Sequence, residues 1–524
     1  MPLSFQSDWL LPDAIEHHAK FSGLRLAVIC GEQSLTWREL EHRTTKIGNA
    51  LIEAGVRKGD RVCFCMGSSL LSFELLWAIV RIGGVVVSLN VMMARDSLAA
   101  MINNSEGQLL FTDSANIGQV AAILGSLNFI GRDQIYVAED STKAWQSFEE
   151  FADNGSDDAL TIKITPEDSI NIVYSSGSTG VPKGIEHSHR ARFEYIFGLG
   201  HLHGYDQNSV AVLATPIYTN GTWMTMAPCM YRGGACLIMR KFTAEDFLNE
   251  VQRHKGSHVF LVPTQTLSIL DHPRLREYDL SSLRVYISSG QALMPSVFDR
   301  IVETFRSAGL WDAYGMSEGF CTMAGPLDWA KGKKGSVGKS FVLDDLCIVG
   351  ADGKELPMGE TGEICGYSIG LMKGYFKDQK RTDEITWIGP KGRTYLRSGD
   401  VGRIDADGYL YISGRTKDMI KSGGINVFPS DIEAVFMRHP EVLEVAAVGI
   451  PHPKWIETPL LFVVLRKPNS IAADELMRWG NTQLGKFQRI SAIEFATELP
   501  RVTYGKIDKT SLRAPYWLNF DSKV

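Results

Sequence analysis

The sequence feature that most constrains this chain is a loop rich in glycine and hydroxyl residues, residues 174–184. It reads Tyr-Ser-Ser-Gly-Ser-Thr-Gly-Val-Pro-Lys-Gly and follows an apolar pair, Ile172 and Val173, which is typical of a strand. Its glycines let backbone N–H groups converge on phosphate oxygens, and its hydroxyls and Lys183 add donors and a positive charge. A flexible linker is the alternative interpretation, but the apolar lead-in and the Pro182-Lys183 pair disfavour it. The loop therefore predicts a phosphate-binding site.

The loop does not fit the Walker A pattern, GxxxxGK[ST]. That pattern requires Gly directly before Lys and a hydroxyl residue directly after it, whereas Lys183 lies between Pro182 and Gly184. A different nucleotide-binding fold is therefore expected. The residues that we predict to contact phosphate are Ser175, Ser176, Gly177, Ser178, Thr179, Gly180 and Lys183.

Strand and helix patterns alternate in the first part of the chain. Thr36 and Glu39 form a capping-box pattern, and the helix that they begin is expected to end near Gly55. Val62 and Phe64 alternate as in a strand. The apolar stretch 70–93 is interrupted by charged residues and a Gly-Gly pair, so it predicts a buried helix followed by a strand instead of a membrane span. This alternation predicts an α/β fold with a largely parallel sheet covered on both faces.

Composition limits the class of protein. With 524 residues, the chain is expected to form two or more domains. Its net charge of -6 gives no general electrostatic reason to bind nucleic acid or an anionic membrane. The eight cysteines contain no CxxC pair, so neither a zinc site nor a disulfide framework is indicated. The N-terminus lacks signal-peptide features, and a cytoplasmic protein without a transmembrane segment is expected.

Four further motifs follow the loop in order: residues 312–318, 396–400, 414–429 and 500–508. They read Asp-Ala-Tyr-Gly-Met-Ser-Glu, Leu-Arg-Ser-Gly-Asp, Gly-Arg-Thr-Lys-Asp-Met-Ile-Lys-Ser-Gly-Gly-Ile-Asn-Val-Phe-Pro and Pro-Arg-Val-Thr-Tyr-Gly-Lys-Ile-Asp. Together with the loop, they resemble the adenylate-forming superfamily, which includes acyl-CoA synthetases, peptide synthetase adenylation domains and firefly-type luciferases. The resemblance covers nearly the whole chain.

The resemblance implies an ATP site. Tyr314 can stack on a purine, Gly315 lets backbone approach the ligand, and Glu318 supplies a hard oxygen for magnesium, with Thr179 on the other side of the metal. Asp400 and Arg415 are expected at the ribose. The remaining residues that the resemblance places at the nucleotide are Gly290, Gln291, Ala292, Asp312, Ala313, Met316 and Ser317.

A second segment is implied to line the acyl pocket. Its predicted residues are Tyr218, Thr219, Gly221, Thr222 and Trp223, together with Gly315 and Met316. Amino-acid-activating relatives usually place an Asp in this segment, but none occurs from residue 213 to 226, and a buried ammonium without a counter-charge would be costly. An apolar acid, fatty or aromatic, is therefore expected. Ordinary core packing of Trp223 is an equally open interpretation.

The resemblance also implies a division at residue 414. A large domain, 1–414, is expected to combine parallel-sheet layers with a β-barrel-like part, and a small mobile α+β domain, 415–524, is expected to rotate about Lys417. Lys506 is the predicted catalytic cation, supported by Lys183 and Glu318. A carboxylate that attacks an anionic phosphate needs a positive charge to offset the repulsion.

The predicted function is that of an AMP-forming acyl-CoA synthetase that uses ATP, Mg²⁺ and CoA. Gly423, Gly424 and Trp455 are implied at the CoA site, although Ile456 stands where Gly is usual. A ligase that loads a carrier-protein phosphopantetheine is the nearest alternative, and a catalytically silent nucleotide- or acyl-binding protein is an alternative of another class. A homodimer is left open. Four histidines, His187, His189, His201 and His203, lie close in sequence, but no acidic or cysteine partner with metal-ligand spacing accompanies them.

Overall fold

The computed structural model describes residues 9–175, 182–290, 293, 295–341, 344–422, 425–501 and 507–518. The chain divides into two compact units. The first unit comprises Met1–Lys334, Ser340–Asp344 and Tyr367–Thr386, and the second comprises Gly335–Lys339, Asp345–Gly366 and Trp387–Val524. The predicted boundary after residue 414 lies within the second unit, so the hinge remains a prediction.

Helices and strands alternate along the chain. Up to residue 154 they are α1 (Asp13–Ser22), β1 (Leu26–Cys30), β2 (Gln33–Thr36), α2 (Trp37–Glu53), β3 (Arg61–Cys65), α3 (Leu70–Arg81), β4 (Val85–Ser88), α4 (Arg95–Ser105), β5 (Leu109–Asp113), α5 (Ile117–Ile123), β6 (Ile135–Ala138), β7 (Gln146–Ser147) and α6 (Phe148–Asn154). Up to residue 330 they are β8 (Ser169–Ser175), β9 (Lys183–Ser188), α7 (His189–Leu202), β10 (Val210–Leu213), α8 (Trp223–Arg232), β11 (Ala235–Ile238), α9 (Ala244–His254), β12 (His258–Leu261), α10 (Pro263–Leu270), β13 (Val285–Ser289), α11 (Pro295–Thr304), β14 (Gly309–Gly315), β15 (Cys321–Ala324) and α12 (Pro326–Ala330).

The remaining elements are β16 (Lys339–Ser340), β17 (Asp345–Val349), β18 (Gly362–Tyr367), β19 (Gly374–Tyr375), α13 (Gln379–Glu384), β20 (Thr386–Ile388), β21 (Thr394–Ile404), β22 (Leu410–Arg415), β23 (Ile420–Ser422), β24 (Ile425–Val427), α14 (Pro429–Phe436), β25 (Val442–His452), β26 (Ile456–Leu465), α15 (Ala473–Asn481), β27 (Ala492–Phe495) and α16 (Lys509–Trp517). Among the helices of the described ranges, none combines the length and apolarity that crossing a bilayer requires.

The first unit contains two mixed sheets. One has the strand order β19-β9-β8-β4-β3-β5-β6-β7, and the other runs from β15 through β14-β13-β12-β10-β11-β1 to β2. The inner pairs, such as β3 with β4 and β12 with β13, are parallel, whereas β9 and β15 join antiparallel near the sheet edges. The predicted α/β class with largely parallel strands is confirmed, but the parallel strands are divided between two sheets and each sheet also has antiparallel pairs.

Local sequence signals determine where the first elements begin and end. The Thr36 hydroxyl accepts a hydrogen bond from the Glu39 amide at 3.3 Å, and the Glu39 carboxylate accepts one from the Thr36 amide at 2.8 Å, so the predicted capping box begins α2. The helix ends before Gly55, which adopts a φ of +97°. The predicted helix and strand of the stretch 70–93 are α3 and β4.

The predicted phosphate loop connects two paired strands. Strand β8 ends at Ser175 and strand β9 begins at Lys183, and these two residues are antiparallel partners. Lys183 therefore lies on a strand, where sheet hydrogen bonds fix its backbone. The predicted phosphate contacts Ser176, Gly177, Ser178, Thr179 and Gly180 lie outside the described residues.

The second unit also contains two sheets. In the first, the strand order is β17-β18-β21-β20, with β22 paired to β21; in the second, it is β24-β23-β26-β25, with β27 paired to β26. Helices α14 and α15 cover a core that includes Ile432, Phe436 and Leu476, which confirms the predicted α+β arrangement. The long strands β25 and β26 are antiparallel, and a parallel βαβ crossover follows through α15 to β27. A short 3-10 turn, Thr416–Asp418, connects the two sheets along the chain.

Candidate active site

Two of the predicted nucleotide segments lie on adjacent strands of the first unit. Strands β13 and β14 are parallel neighbours in which Ser288 pairs with Asp312, and the Ser289 hydroxyl donates to the Ala313 carbonyl at 2.6 Å. Gly290 follows with a φ of +98°, a conformation that favours glycine. The carboxyl ends of parallel strands are the usual ligand-binding edge of such sheets. Gln291 and Ala292 lie outside the described residues.

The predicted motif 312–318 begins inside the core and ends at its edge. Asp312 is buried, and this burial raises the pKa of its carboxyl group to about 7. A Cβ atom on Gly315 would lie 2.6 Å from the Phe320 carbonyl oxygen, so only glycine fits there. Tyr314 is half-buried, with its ring centroid 6.2 Å from that of Phe320. Met316 is also half-buried, and its amide donates to the Phe320 carbonyl at 3.4 Å.

Tyr375 connects the two predicted catalytic residues of the first unit. Its hydroxyl donates to Glu318 Oε1 at 2.7 Å, and Lys183 Nζ lies 5.7 Å from the centroid of its ring. Strand β19 carries Tyr375 alongside β9, the strand that begins with Lys183. Burial, and then the neighbouring Glu318 carboxylate, raise the pKa of Tyr375, so its hydroxyl stays protonated and remains a donor. The sequence analysis missed Tyr375 because no local motif marks it.

Glu318 suits a magnesium ion that is also bound by a nucleotide. Mg²⁺ usually takes one or two protein carboxylates together with substrate phosphates, and it keeps several waters. Within the described ranges, no three His, Cys, Asp or Glu side chains come together as a metal cage. One hard carboxylate oxygen is the donor set expected for this shared mode of binding. Thr179, the second predicted metal residue, lies outside the described ranges.

Ser317 is held by two side chains that the motifs did not predict. His187 Nε2 lies 2.8 Å from the Ser317 carbonyl oxygen, and Asn220 Nδ2 donates to the Ser317 hydroxyl at 3.4 Å. Both side chains also contact Arg192. The sequence analysis considered His187 only as a metal candidate, whereas in the structure it is a buried hydrogen-bonding group.

The predicted acyl segment is almost entirely buried. The hydroxyl groups of Thr219 and Thr222 are hydrogen-bonded at 2.8 Å, and the turn Asn220–Thr222 leads directly into α8. A Cβ atom on Gly221 would lie 2.5 Å from the ring of Phe260. Tyr218 and Trp223 both belong to the hydrophobic core of the unit. Core packing therefore accounts for part of this segment, and its role in acid binding remains a prediction.

In the second unit, Asp400 and Arg415 face each other on paired strands. They are register partners on β21 and β22, and Arg415 Nε lies 3.1 Å from Asp400 Oδ1. Asp400 is buried, and its backbone amide donates a hydrogen bond to the Ser398 hydroxyl at 3.0 Å. Arg415 is exposed. The pair unites two predicted ribose residues, but their contact with a nucleotide remains a prediction.

The predicted CoA and hinge residues occupy the rest of the second unit. The Trp455 ring stacks on His452, with centroids 4.6 Å apart and an interplanar angle of 14°. The next residue, Ile456, has a φ of +69°, so a β-branched residue adopts a left-handed conformation that favours glycine. Lys417 is exposed in the turn Thr416–Asp418. Gly423, Gly424 and Lys506 lie outside the described residues.

Comparisons with known proteins agree with this architecture. Residues 15–376 match the model of the AMP-binding enzyme family, and residues 431–506 match that of the AMP-binding enzyme C-terminal domain. The chain is 30% identical over 503 residues to a feruloyl-CoA synthase of Amycolatopsis sp, covering 94% of this chain and 96% of that protein. It is 28% identical to an indoleacetate–CoA ligase of Aromatoleum aromaticum, covering 96% and 97%. The structure of ATP-bound MatB from Rhodopseudomonas palustris superposes with a TM-score of 0.86 at 27% identity, covering 96% of this chain and 99% of that one.

The chain therefore belongs to the AMP-binding enzyme family. Within that family it is an AMP-forming acid–CoA ligase, which uses ATP, Mg²⁺ and CoA. The predictions of superfamily, fold class, enzyme class and cosubstrates are confirmed. The residue roles, the domain boundary and the identity of the acid stay predictions.

Proposed function

We propose that this ligase activates an aromatic monocarboxylic acid. The observation that carries the proposal is the similarity over nearly the whole chain to ligases named for feruloyl, indoleacetyl and 4-coumaroyl groups. The predicted acyl segment contributes two aromatic side chains, Tyr218 and Trp223, which pack in the core of the first unit. Residues 213–226 contain no acidic side chain that could pair with a substrate ammonium group.

The first half-reaction joins the acid to AMP. A carboxylate oxygen of the acid attacks the α-phosphorus of ATP, the bond from that phosphorus to the bridging oxygen breaks, and pyrophosphate leaves with the bonding electrons. Lys506 offsets the repulsion between the two anions, and Lys183 provides a second cation for the phosphates. Glu318, whose carboxylate accepts a hydrogen bond from Tyr375, would be the protein ligand for magnesium, and the ion would neutralise charge on the phosphates.

The second half-reaction transfers the acyl group to CoA. The thiolate sulfur attacks the acyl carbon, and AMP leaves with the electrons of the carbon–oxygen bond. Gly423, Gly424 and Trp455 would guide the pantetheine arm, and rotation about Lys417 would exchange the residues that face the acyl group between the two steps. No protein nucleophile is required, because the mixed anhydride already carries a good leaving group.

A panel of acids tests the proposal. AMP release in the presence of CoA is measured with ferulate, 4-coumarate and indoleacetate, and with hexanoate and palmitate as fatty acids. We expect kcat/KM for at least one aromatic acid to exceed that for both fatty acids by about tenfold or more, which is the discrimination that a shaped apolar pocket can provide. A preference for either fatty acid would contradict the aromatic assignment. AMP release that requires a carrier protein instead of CoA would overturn the thiol acceptor.

A further inference from the structure

Arg192, on helix α7, is a buried cation whose hydrogen bonds within the described part of the chain go to neutral groups. The residue is 5% exposed, and no ion pair with Asp or Glu involves it among the residues that the structure describes. Its Nε donates to Asn171 Oδ1 at 3.1 Å. Burial lowers the pKa of its guanidinium to about 10, which still leaves it charged at neutral pH. Burying a charge that only neutral groups solvate is costly, so stability alone gives a poor reason for an arginine here.

The first contact of Arg192 leads through His187 to the nucleotide motif. The Ser317 carbonyl can only accept a hydrogen bond, so the proton of His187 must lie on Nε2, 2.8 Å away. Nδ1 is then an acceptor, and Arg192 Nη2 lies 3.3 Å from it. Burial, and then the charge of Arg192, lower the pKa of His187 well below its usual value. The ring therefore remains neutral, with Nε2 as the donor and Nδ1 as the acceptor.

The second contact leads through Asn220 to the same residue. Arg192 Nη2 donates to Asn220 Oδ1 at 2.6 Å, and Asn220 Nδ2 donates to the Ser317 hydroxyl at 3.4 Å. Asn220 begins the turn inside the predicted acyl segment, and the guanidinium carbon of Arg192 lies 5.0 Å from the ring centroid of Trp223 in that segment. The guanidinium of Arg192 therefore contacts the acyl segment, and it is linked to Ser317 through two side chains, His187 and Asn220. Ser317 directly precedes Glu318, the proposed magnesium residue.

We infer that Arg192 is a positioning residue that couples acid binding to the binding of Mg·ATP. The inference rests on the proposed function, because it takes the segment of Asn220 and Trp223 as the acid site. An acid bound against that segment restricts Asn220. Asn220 then restricts Ser317 directly, and Arg192 restricts it through His187, so that the adjoining Glu318 is restricted as well. Arg192 itself contacts neither substrate in this scheme. Each substrate consequently tightens the binding of the other, as linkage requires.

Calorimetry with an unreactive nucleotide tests this coupling. The Kd of Mg·α,β-methylene-ATP is measured with and without saturating ferulate for the wild type, Arg192→Met and Arg192→Lys. We expect ferulate to tighten nucleotide binding about tenfold in the wild type and less than about twofold in Arg192→Met, within the usual range of such coupling. Without ferulate, the Kd of the nucleotide should differ by less than about twofold between the wild type and the Arg192 variants. Lysine keeps the charge but not the planar fork, so Arg192→Lys should also lose the coupling.

Arg190 provides the matched control. It lies two residues earlier on the same helix, is exposed and pairs with Glu167 at 2.7 Å. Arg190→Met should keep the full effect of ferulate. The inference is overturned if Arg192→Met retains the wild-type coupling, if the wild type shows none, or if Arg190→Met loses it equally.

A second measurement separates this inference from the choice of acid. Thermal unfolding without ligands is compared for Arg192→Met, Asn220→Ala and the double variant. If the two residues act as one unit, the double variant should melt within about 2 °C of the less stable single variant. Additive losses would overturn the network even if an acid is found. If no acid of the panel releases AMP, the proposed function fails, while this comparison still decides whether Arg192 and Asn220 are linked.

Discussion

In the first unit, the Glu318 carboxylate accepts a hydrogen bond from Tyr375 at 2.7 Å, whereas in the second unit the side chains of Arg415 and Lys417 are exposed. Ser317, next to Glu318, is held by two further buried side chains. Glu318, the proposed metal residue, and its neighbour Ser317 are thus held by hydrogen bonds within the protein, which favours a preorganised electrostatic site. The exposed residues of the second unit can exchange partners, which the predicted rotation about Lys417 would require.

Removal of the Lys506 charge should give the largest effect on the rate of adenylate formation. Lys506→Ala should lower adenylate formation about 1,000-fold, because it removes the charge between two anionic reactants, while thiolysis of preformed acyl-AMP changes little. Pyrophosphate exchange measures the first step, and CoA-dependent AMP release from synthetic acyl-AMP measures the second. Lys467→Ala, which removes an exposed lysine of the same unit, is the control and should affect neither step.

Gly424→Leu should show the reverse pattern, with thiolysis reduced and pyrophosphate exchange preserved. Equal loss of both half-reactions in both variants would contradict a division of labour within the second unit.

Substitution of Glu318 tests the proposed magnesium site of the first unit. Glu318→Gln should lower kcat/KM about 100-fold and raise the Mg²⁺ concentration that gives half-maximal activity, because a neutral amide is a poorer magnesium ligand. Tyr375→Phe leaves the Glu318 carboxylate but removes its hydrogen bond, and it should lower kcat/KM about tenfold. Activity is followed by AMP release over a magnesium titration, with the exposed Glu384→Gln as control. A Glu318→Gln enzyme with unchanged magnesium dependence would refute the assignment.

Asp312 connects the same region to pH. Its pKa is raised from 3.8 to about 7 by burial, so the native state binds more protons than the unfolded state between these values. The free energy of unfolding should therefore fall as pH rises from about 4 to 7, and this loss should be complete above pH 7. Asp312→Asn should remove part of the decline. Asp344, whose pKa is also raised to about 7 by burial, should maintain the remainder.

Urea denaturation from pH 4.5 to 7.5 measures this dependence. The stability of Asp312→Asn relative to the wild type should grow steadily with pH, whereas the exposed Asp474→Asn should run parallel to the wild type. A constant difference between Asp312→Asn and the wild type would show that Asp312 is already charged in the folded protein.

Ile456 gives the smallest expected effect and concerns the second unit. Its φ of +69° is unfavourable for a β-branched residue, and its side chain is 54% exposed, so little packing is lost on truncation. Ile456→Gly should stabilise the protein by about 0.5–1 kcal/mol after the entropic cost of glycine is subtracted. Denaturant unfolding measures the change. Leu443→Gly, at a similarly exposed strand position, should destabilise instead, and destabilisation by both variants would argue against strain at Ile456.

The sequence predicted those features whose signals are local. The capping box of α2, the strand before the phosphate loop and the α+β character of the C-terminal region were all readable from short patterns. Ile456 was marked in the sequence as a departure from glycine, and the structure shows the physical consequence in its φ angle.

Long-range contacts could not be predicted in this way. Tyr375 reaches Glu318 across 57 positions and lies on a strand paired with β9, nearly 200 residues earlier. Arg192 and Asn220 carry no motif, and no sequence pattern indicated that His187 contacts Ser317 and Arg192. The division of the parallel strands between two sheets is likewise set by pairing between distant segments, which alternating patterns do not specify.

The transfer of ¹⁸O from a labelled acid tests the central claim most directly. Ferulate, or whichever acid of the panel releases most AMP, is labelled with ¹⁸O in both carboxylate oxygens and converted in the presence of ATP, Mg²⁺ and CoA. Attack of the carboxylate on the α-phosphorus predicts one ¹⁸O atom in the AMP that is released, with none in pyrophosphate. Unlabelled AMP, or ADP with labelled phosphate, would contradict activation through an acyl-adenylate.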